Sequence, residues 1–246
     1  MSANVQDAIV LFGDSITQGG WETGMNGFGA NLSHVYARKM DVINRGLSGY
    51  NTEWAIPVFE QYFAKREHQM YLPTVRLLVI WFGANDACLI PSPQHVPPAK
   101  FESNIKHFVD LVQSPRSEYY SRDTRIILVT PPPVNTHARR ADLEGRSPPL
   151  QLDRDFETTR RYAEIVKDVA LEKKVGIVDI WTRIWDAAGR DEGALNKYLG
   201  DGLHLNGAGY ELVYDGLLET IRKSFPELHP DNVEMIFPHW TSVVTQ

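Results

Sequence analysis

Ala8-Ile9-Val10-Leu11-Phe12-Gly13-Asp14-Ser15-Ile16-Thr17-Gln18-Gly19-Gly20 begins as an apolar run, stops at a glycine and continues as a polar segment closed by two more glycines. A short run that is apolar at every position is the pattern of a strand buried on both faces. The chain then turns at Gly13 and offers Asp14 and Ser15 at the strand's carboxyl end. In open α/β sheets ligands bind in the crevice outside the carboxyl ends of the strands, so Ser15 stands where chemistry is usually placed. The same residues suit a plainer role, because Asp and Ser also cap helices and close turns.

Downstream, residues 21–29 form a glycine-rich loop carrying Met25 and Phe28, and residues 31–40 have helical spacing. A brief second strand is expected over 41–44, ending in Arg45-Gly46-Leu47-Ser48-Gly49. The helix expected over 52–64 contains Pro57, which bends or breaks a helix interior. Residues 76–82 are the most apolar strand, running into Gly83-Ala84-Asn85-Asp86, and a proline-containing loop then leads to a helix with Phe101, Ile105, Phe108, Val109 and Val112 on one face. A fourth strand over 125–129 is followed by a polar stretch, 134–151, that carries Arg139, Arg140 and Arg146 without periodicity and reads as a loop or a lid. A long amphipathic helix over 153–173, a fifth strand over 175–180, a short helix over 181–188 and a final helix over 207–224 complete the alternation. The tail, 225–246, is too short to be a domain and is expected to pack on the body or on a second subunit, which would make a homodimer. Buried strands alternating with helices predict one three-layer α/β/α sandwich around a five-stranded parallel sheet, in a single domain spanning 1–246.

Composition narrows the function. The chain has 246 residues, 43% of them hydrophobic, and a net charge of −6 without a basic run, so nucleic acid is an unsuitable partner. A single cysteine, Cys88, excludes an internal disulfide and fits a reducing, cytoplasmic compartment. No signal peptide is visible and no apolar run is long enough to cross a bilayer, so no membrane association is expected.

Four residues then fall on one rim of the sheet: Ser15 after the first strand, Gly46 after the second, Asn85 after the third and His204 beyond the fifth. A serine hydroxyl needs a base to become a nucleophile, and neutral histidine, with a reference pKa of roughly 6.5, suits that task. Among the eight histidines, His204 alone follows a carboxylate by three residues in a glycine-containing turn. Asp201 can hold one ring nitrogen of His204 and leave the other for Ser15; the competing view is a capped turn with His204 merely packed in it. Attack on an ester creates an oxyanion that needs donors, and the N–H groups of Ser15 and Gly46 with the Asn85 amide are candidates.

Gly13-Asp14-Ser15-Ile16, Gly46, Gly83-Ala84-Asn85-Asp86 and Asp201-Gly202-Leu203-His204 resemble, in order, the four blocks of the GDSL (SGNH) hydrolases. The resemblance implies their flavodoxin-like fold, Ser15 as nucleophile, His204 as base, Asp201 as its orienter, and an oxyanion hole of Ser15, Gly46 and Asn85. Ile16 stands where the family name has leucine. Arg45-Gly46, Gly49-Tyr50, Trp54-Ala55, Ala84-Asn85-Asp86-Ala87-Cys88, Val96-Pro97 and His229-Pro230 are similar to the isoamyl acetate-hydrolysing esterase branch. That branch implies short esters of small alcohols as substrates and neither a metal nor another cofactor. Longer acyl chains or thioesters are the alternatives within the family.

Trp21, Met25, Trp54, Cys88, Leu89 and Leu203 lie close in sequence to these positions and are candidate walls for a small uncharged ester, or else ordinary core residues. Two rivals discard the serine. Asp14 and Asp86 at two strand ends would hold Mg²⁺ for phosphoryl chemistry, or the domain would bind without turnover. The simpler view of both aspartates is that each braces its own turn.

Overall fold

A computed structural model describes residues 6–237 and 239–243; Pro238 and 244–246, which belong to the expected tail, and residues 1–5 lie outside that description. Strand β1, Ala8–Gly13, is buried at every position. It pairs in parallel with β2, Asp41–Gly46, on one side and with β3, Val75–Trp81, on the other. Next come β4, Arg125–Val129, and β5, Gly176–Val178, also parallel, giving the order β2-β1-β3-β4-β5. This is the five-stranded, doubly wound sheet that the alternating pattern predicts. Its switch point lies between β1 and β3, where folds of this order bind ligands.

The helices are α1 (Ser15–Gln18), α2 (Phe28–Val35), α3 (Thr52–Tyr62), α4 (Pro98–Gln113), α5 (Thr136–Glu144), α6 (Phe156–Lys173), α7 (Ile180–Ala187), α8 (Gly207–Ser224) and α9 (Trp240–Val243). Successive strand side chains point to opposite faces, so each strand feeds two cores. Ile9, Leu11, Leu77 and Val79 pack with α2, α7 and α8, through Leu32, Ile184 and Val213 among others. Val10, Phe12, Leu78 and Ile80 pack with α3, α4 and α6, where Phe12 meets Phe59, Phe82 and Phe108 at ring-centroid distances of 5.4, 4.9 and 5.4 Å.

Several boundaries differ from the expectation, and four of the differences bear on the site or the packing around it. The helix expected over 31–40 begins earlier, at Phe28, and ends at Val35, with Arg38 beyond it in left-handed backbone (φ 64°). Strand β5 stops at Val178 because Asp179 turns away to cap α7, its side chain accepting from the Thr182 N–H. Helix α6 starts at Phe156 rather than 153, because Asp155 is the residue that caps it by accepting from the Thr158 N–H. Asp153 and Arg154 are thereby released from the helix. The stretch 134–151, read as an aperiodic loop or lid, contains α5, capped by Asn135 and burying Arg139 and Leu143. The arginine makes half of the buried stripe, so apolar periodicity does not register it.

Residues 226–237 of the tail meet the body: the Tyr36 hydroxyl donates to Leu228 O at 2.7 Å, Lys39 to Pro230 O, and the Ile236 N–H to Arg38 O at 3.0 Å. Asp14 braces its own turn, accepting the Ile16 N–H at 2.9 Å. Asp86 instead reaches across to α3, where its Oδ1 accepts from the N–H of Thr52 at 2.9 Å and from the Thr52 hydroxyl. Both carboxyls are therefore engaged with their own protein. Burial pushes Asp14 up to about 6 and Asp86 to about 7.

A carboxyl that holds its proton more tightly when folded makes the folded state bind more protons between the unfolded and folded pKa values. Stability therefore falls as pH rises through that window, here from about 4 to about 7 for Asp86. Asp86→Asn is expected to lose stability relative to the parent at pH 4 and to recover part of that difference by pH 8. Thermal midpoints of both proteins across that range check it, and a pH-independent difference would show that folding leaves the hold of Asp86 on its proton unchanged.

Candidate active site

Ser15 is the first residue of α1, placed there by the Asp14 cap, and it is only partly buried. Its Oγ lies 3.0 Å from Nε2 of His204, a residue 189 positions later. Nδ1 of His204 lies 2.9 Å from Oδ2 of Asp201, while Asp201 Oδ1 accepts the backbone N–H groups of Leu203 (3.0 Å) and His204 (2.7 Å). Burial opposes the charge on Asp201, but hydrogen bonds from the His204 ring and backbone, its charge, and the Leu203 N–H outweigh it, holding this carboxyl well below the ordinary carboxylate range. The His204 side chain is 44% exposed, so a substrate can approach the outer edge of the imidazole.

The turn that carries Asp201 and His204 is docked on the start of α5. Gly202 has φ +82°, and a Cβ there would lie 2.4 Å from the Arg139 backbone nitrogen. Gly202 O accepts the Asn135 N–H at 2.9 Å. Arg139, with a side chain 5% exposed, donates from Nη1 to Asp201 Oδ2 at 3.0 Å. Its Nε and Nη2 grip the two oxygens of Asp153 at 3.0 and 2.8 Å. Burial works against the Arg139 charge, yet its hydrogen bonds to Asp153 and the charges of Asp153, Asp201 and Asp142 hold the guanidinium above its ordinary range. This part of the stretch read as a loop or a lid is in this way a buttress behind the carboxylate.

On the other side of the rim, Asn85 is 4% exposed and donates from Nδ2 to Tyr50 O at 2.8 Å. Its Oδ1 accepts from Arg154 Nη2 at 2.6 Å and from Gln94 Nε2 at 3.4 Å. Gly46 ends β2 opposite Gly13, and a Cβ there would fall 2.1 Å from the Gln18 backbone nitrogen. The Gly46 N–H donates to Asn44 Oδ1 at 2.8 Å, while Asn44 Nδ2 donates to Gln18 O at 3.0 Å. This candidate oxyanion donor is thus occupied by Asn44, and to serve an oxyanion it would have to share or leave that acceptor. The Ser15 N–H lies in the first turn of α1, where no acceptor within the helix is available.

The six candidate wall residues separate. Leu203 and Cys88 are buried in the interior, the Cys88 thiol pushed up by burial and set 3.4 Å from Gln94 Oε1. Trp21 and Met25 are partly buried against the α2 core. Leu89 is partly buried, its N–H donating to Asp153 O at 2.7 Å. Trp54 is exposed and stands edge-on to Tyr50, whose carbonyl holds Asn85. Asp153, Arg154 and Gln94 are absent from the residues expected by sequence, and Arg139 enters only as part of a loop or lid. Charge in a stretch without periodicity is the signal for Arg139; Gln94 in a proline-containing loop, and Asp153 and Arg154 read into a helix, give none.

A hydroxyl, an imidazole and a carboxylate joined by two hydrogen bonds at the carboxyl rim of a doubly wound sheet form the layout of a serine-type hydrolase. The GDSL-like Lipase/Acylhydrolase family matches residues 11–212, and the chain belongs to that family. It is 33% identical to a GDSL esterase/lipase of Arabidopsis thaliana over 96% of this chain and 93% of the relative. It is 31% identical to the isoamyl acetate-hydrolyzing esterase of Saccharomyces cerevisiae over 97% of this chain and 95% of the relative. A Homo sapiens isoamyl acetate-hydrolyzing esterase 1 homolog is 32% identical over 98% and 90%. In fold the chain is similar to the lipase/acylhydrolase of Enterococcus faecalis, with TM-score 0.62 and 23% identity over 94% of this chain and 100% of that one. The acetylxylan esterase of Geobacillus stearothermophilus gives TM-score 0.62 and 20% identity over 90% and 96%. The protein is a carboxylic ester hydrolase.

Gly46→Ala forces its new methyl onto backbone, which cannot swing aside as a flexible side chain can. The expected result is a thermal midpoint lower by roughly 4–8 °C, about 2 kcal/mol for a chain of this size. An unchanged midpoint in scanning calorimetry would show that α1 yields freely at this contact.

Proposed function

We propose that the protein is a serine esterase that hydrolyses short-chain, acetate-type esters of small alcohols through an acyl-enzyme. One observation carries the mechanism: the unbroken run of hydrogen bonds from Ser15 Oγ through the His204 ring to Asp201, at 3.0 and 2.9 Å. With Nδ1–H donated to Asp201, Nε2 of the neutral ring carries the lone pair and takes the Ser15 proton as Oγ attacks the ester carbonyl. Asp201 stabilises the imidazolium that forms. The carbonyl oxygen becomes an oxyanion facing the Ser15 N–H, the Asn85 amide and, as Asn44 shares it, the Gly46 N–H. Collapse breaks the ester C–O bond, and His204 returns its proton to the departing alcohol. Water, deprotonated by the same nitrogen, then attacks the acyl carbon and frees the acid and Ser15.

Support for the substrate class comes from the relatives named as isoamyl acetate-hydrolyzing esterases, which match along nearly the whole chain. It also comes from the setting of Asn85, where the exposed Trp54 and its neighbour Tyr50 supply an uncharged surface.

Ser15→Ala or His204→Ala is expected to lower kcat by roughly four to six orders of magnitude while the far-ultraviolet circular dichroism stays unchanged. Near-normal turnover by either variant would refute the mechanism. Asn85→Ala should cost about 10²–10³ in kcat with KM little altered; a rise in KM alone would make Asn85 a binding residue. Across p-nitrophenyl esters of graded length, kcat/KM should be highest for acetate and fall as the acyl chain grows. A maximum at long chains or at a thioester would replace the acetate assignment with a lipase or thioesterase.

A further inference from the structure

Two guanidinium groups lie behind the site, and neither is accounted for by the chemistry of Ser15 and His204. Arg154 is 3% exposed and fully engaged: Nε donates to Ala84 O at 2.7 Å, Nη1 to Asp153 Oδ2, and Nη2 to Asn85 Oδ1 at 2.6 Å and Gln94 Oε1 at 3.1 Å. The two ends of an asparagine amide are nearly equal in size, so its orientation is decided by hydrogen-bond partners. An arginine only donates. Reversing the Asn85 amide would set its NH₂ against the Arg154 cation and its oxygen against the Tyr50 carbonyl, so both contacts oppose the flip. In the observed orientation one Nδ2 hydrogen goes to Tyr50 O, and the second is left for a developing oxyanion.

Arg154 is held in turn. Asp153 Oδ2, which accepts from Arg154, also accepts from Arg139 Nη2 at 2.8 Å, and Arg139 Nη1 reaches Asp201 Oδ2 at 3.0 Å. Asn85, Arg154, Asp153, Arg139 and Asp201 therefore make one continuous chain of charge-assisted hydrogen bonds, which joins the two halves of the site from behind. We propose that Arg154 is a positioning residue for ester hydrolysis, holding the Asn85 amide with its free N–H toward the reacting carbonyl, and that Asp153 and Arg139 tie this restraint to the carboxylate that orients His204. The proposal rests on the Ser15–His204–Asp201 mechanism and adds to it the control of one oxyanion donor by a residue that touches neither substrate nor reacting atoms.

Arg154→Met removes the guanidinium while Asp153 keeps Arg139. On p-nitrophenyl acetate it should lower kcat about 10–100-fold, as loosening a single donor implies, with KM within about threefold. The same substitution made in Asn85→Ala should cost less than about threefold more, because the group it positions is already gone. Arg154→Lys should fall between parent and Met, since one ammonium still reaches Asn85 Oδ1 but cannot cover four acceptors. Equal losses with and without Asn85, or a change confined to KM or to the thermal midpoint, would overturn the proposal and leave Arg154 a stabilising residue. Should the Arg154 variants not fold, the parent enzyme decides the matter in a crystal structure of its adduct with an alkyl phosphonate. Asn85 Nδ2 should then lie about 2.7–3.2 Å from the phosphonyl oxygen with Oδ1 still on Arg154, and an amide turned away from either would overturn the proposal. If no adduct forms on Ser15, or Ser15→Ala keeps its activity, the serine mechanism itself fails and the positioning role falls with it.

Discussion

Two full positive charges are carried into a region nearly closed to water, and the site is arranged around keeping them paired. Removing an ion from water costs several kcal/mol even after relaxation, unless carboxylates and carbonyl oxygens replace the lost hydration. Arg139 and Arg154 find that replacement in Asp153 and Asp201, with Asp142, Ala84 O, Asn85 and Gln94 completing the shell. Asp201 Oδ2 accepts from both Arg139 and His204, so charge balance and imidazole orientation depend on a single oxygen. Neither can be altered without the other.

The sheet provides the second constraint. Parallel pairing brings every strand's carboxyl end to one rim, and its register sets Gly13 beside Gly46 on one side and Trp81 on the other. The first helix leaves β1 so close to the end of β2 that a side chain at 46 would strike Gln18 backbone. Asn44 fastens the same corner, accepting from the Gly46 N–H and donating to Gln18 O. Gly46 therefore has a packing reason to be glycine, independent of any N–H it lends to an oxyanion. The two demands coincide because the proposed donors must converge on Ser15, and convergence requires close backbone approach.

Relatives that match along nearly the whole chain at 31–33% identity and solved structures near 20% bear on this protein at different levels. The former establish the family and the ester-hydrolysing class; the latter establish the fold alone. Loops and helix ends differ most readily in such sets, since they run over the surface and carry few packing restraints. The buttress of α5 and the segment before α6 are not of that lightly restrained kind here, because Arg139 and Arg154 are as buried as the core.

Much of this was legible in the residues themselves. All-apolar runs marked the strands, because a strand covered on both faces cannot carry a polar side chain cheaply. Helices α4 and α6 showed their buried faces as periodic apolar stripes, and Ser15, Gly46, Asn85 and His204 all stood at strand ends or just beyond. Helix α5 escaped because its buried stripe is an arginine and a leucine, and 153–155 was absorbed into α6 because a helix start depends on which aspartate caps it. Local pattern therefore determined the sheet, the faces that the apolar-striped helices turn inward and the residue types available at the rim. Only the tertiary structure decided which charges meet: Arg139 and Asp201 lie 62 positions apart, and burial strengthens their attraction in a way that no local stretch of sequence records.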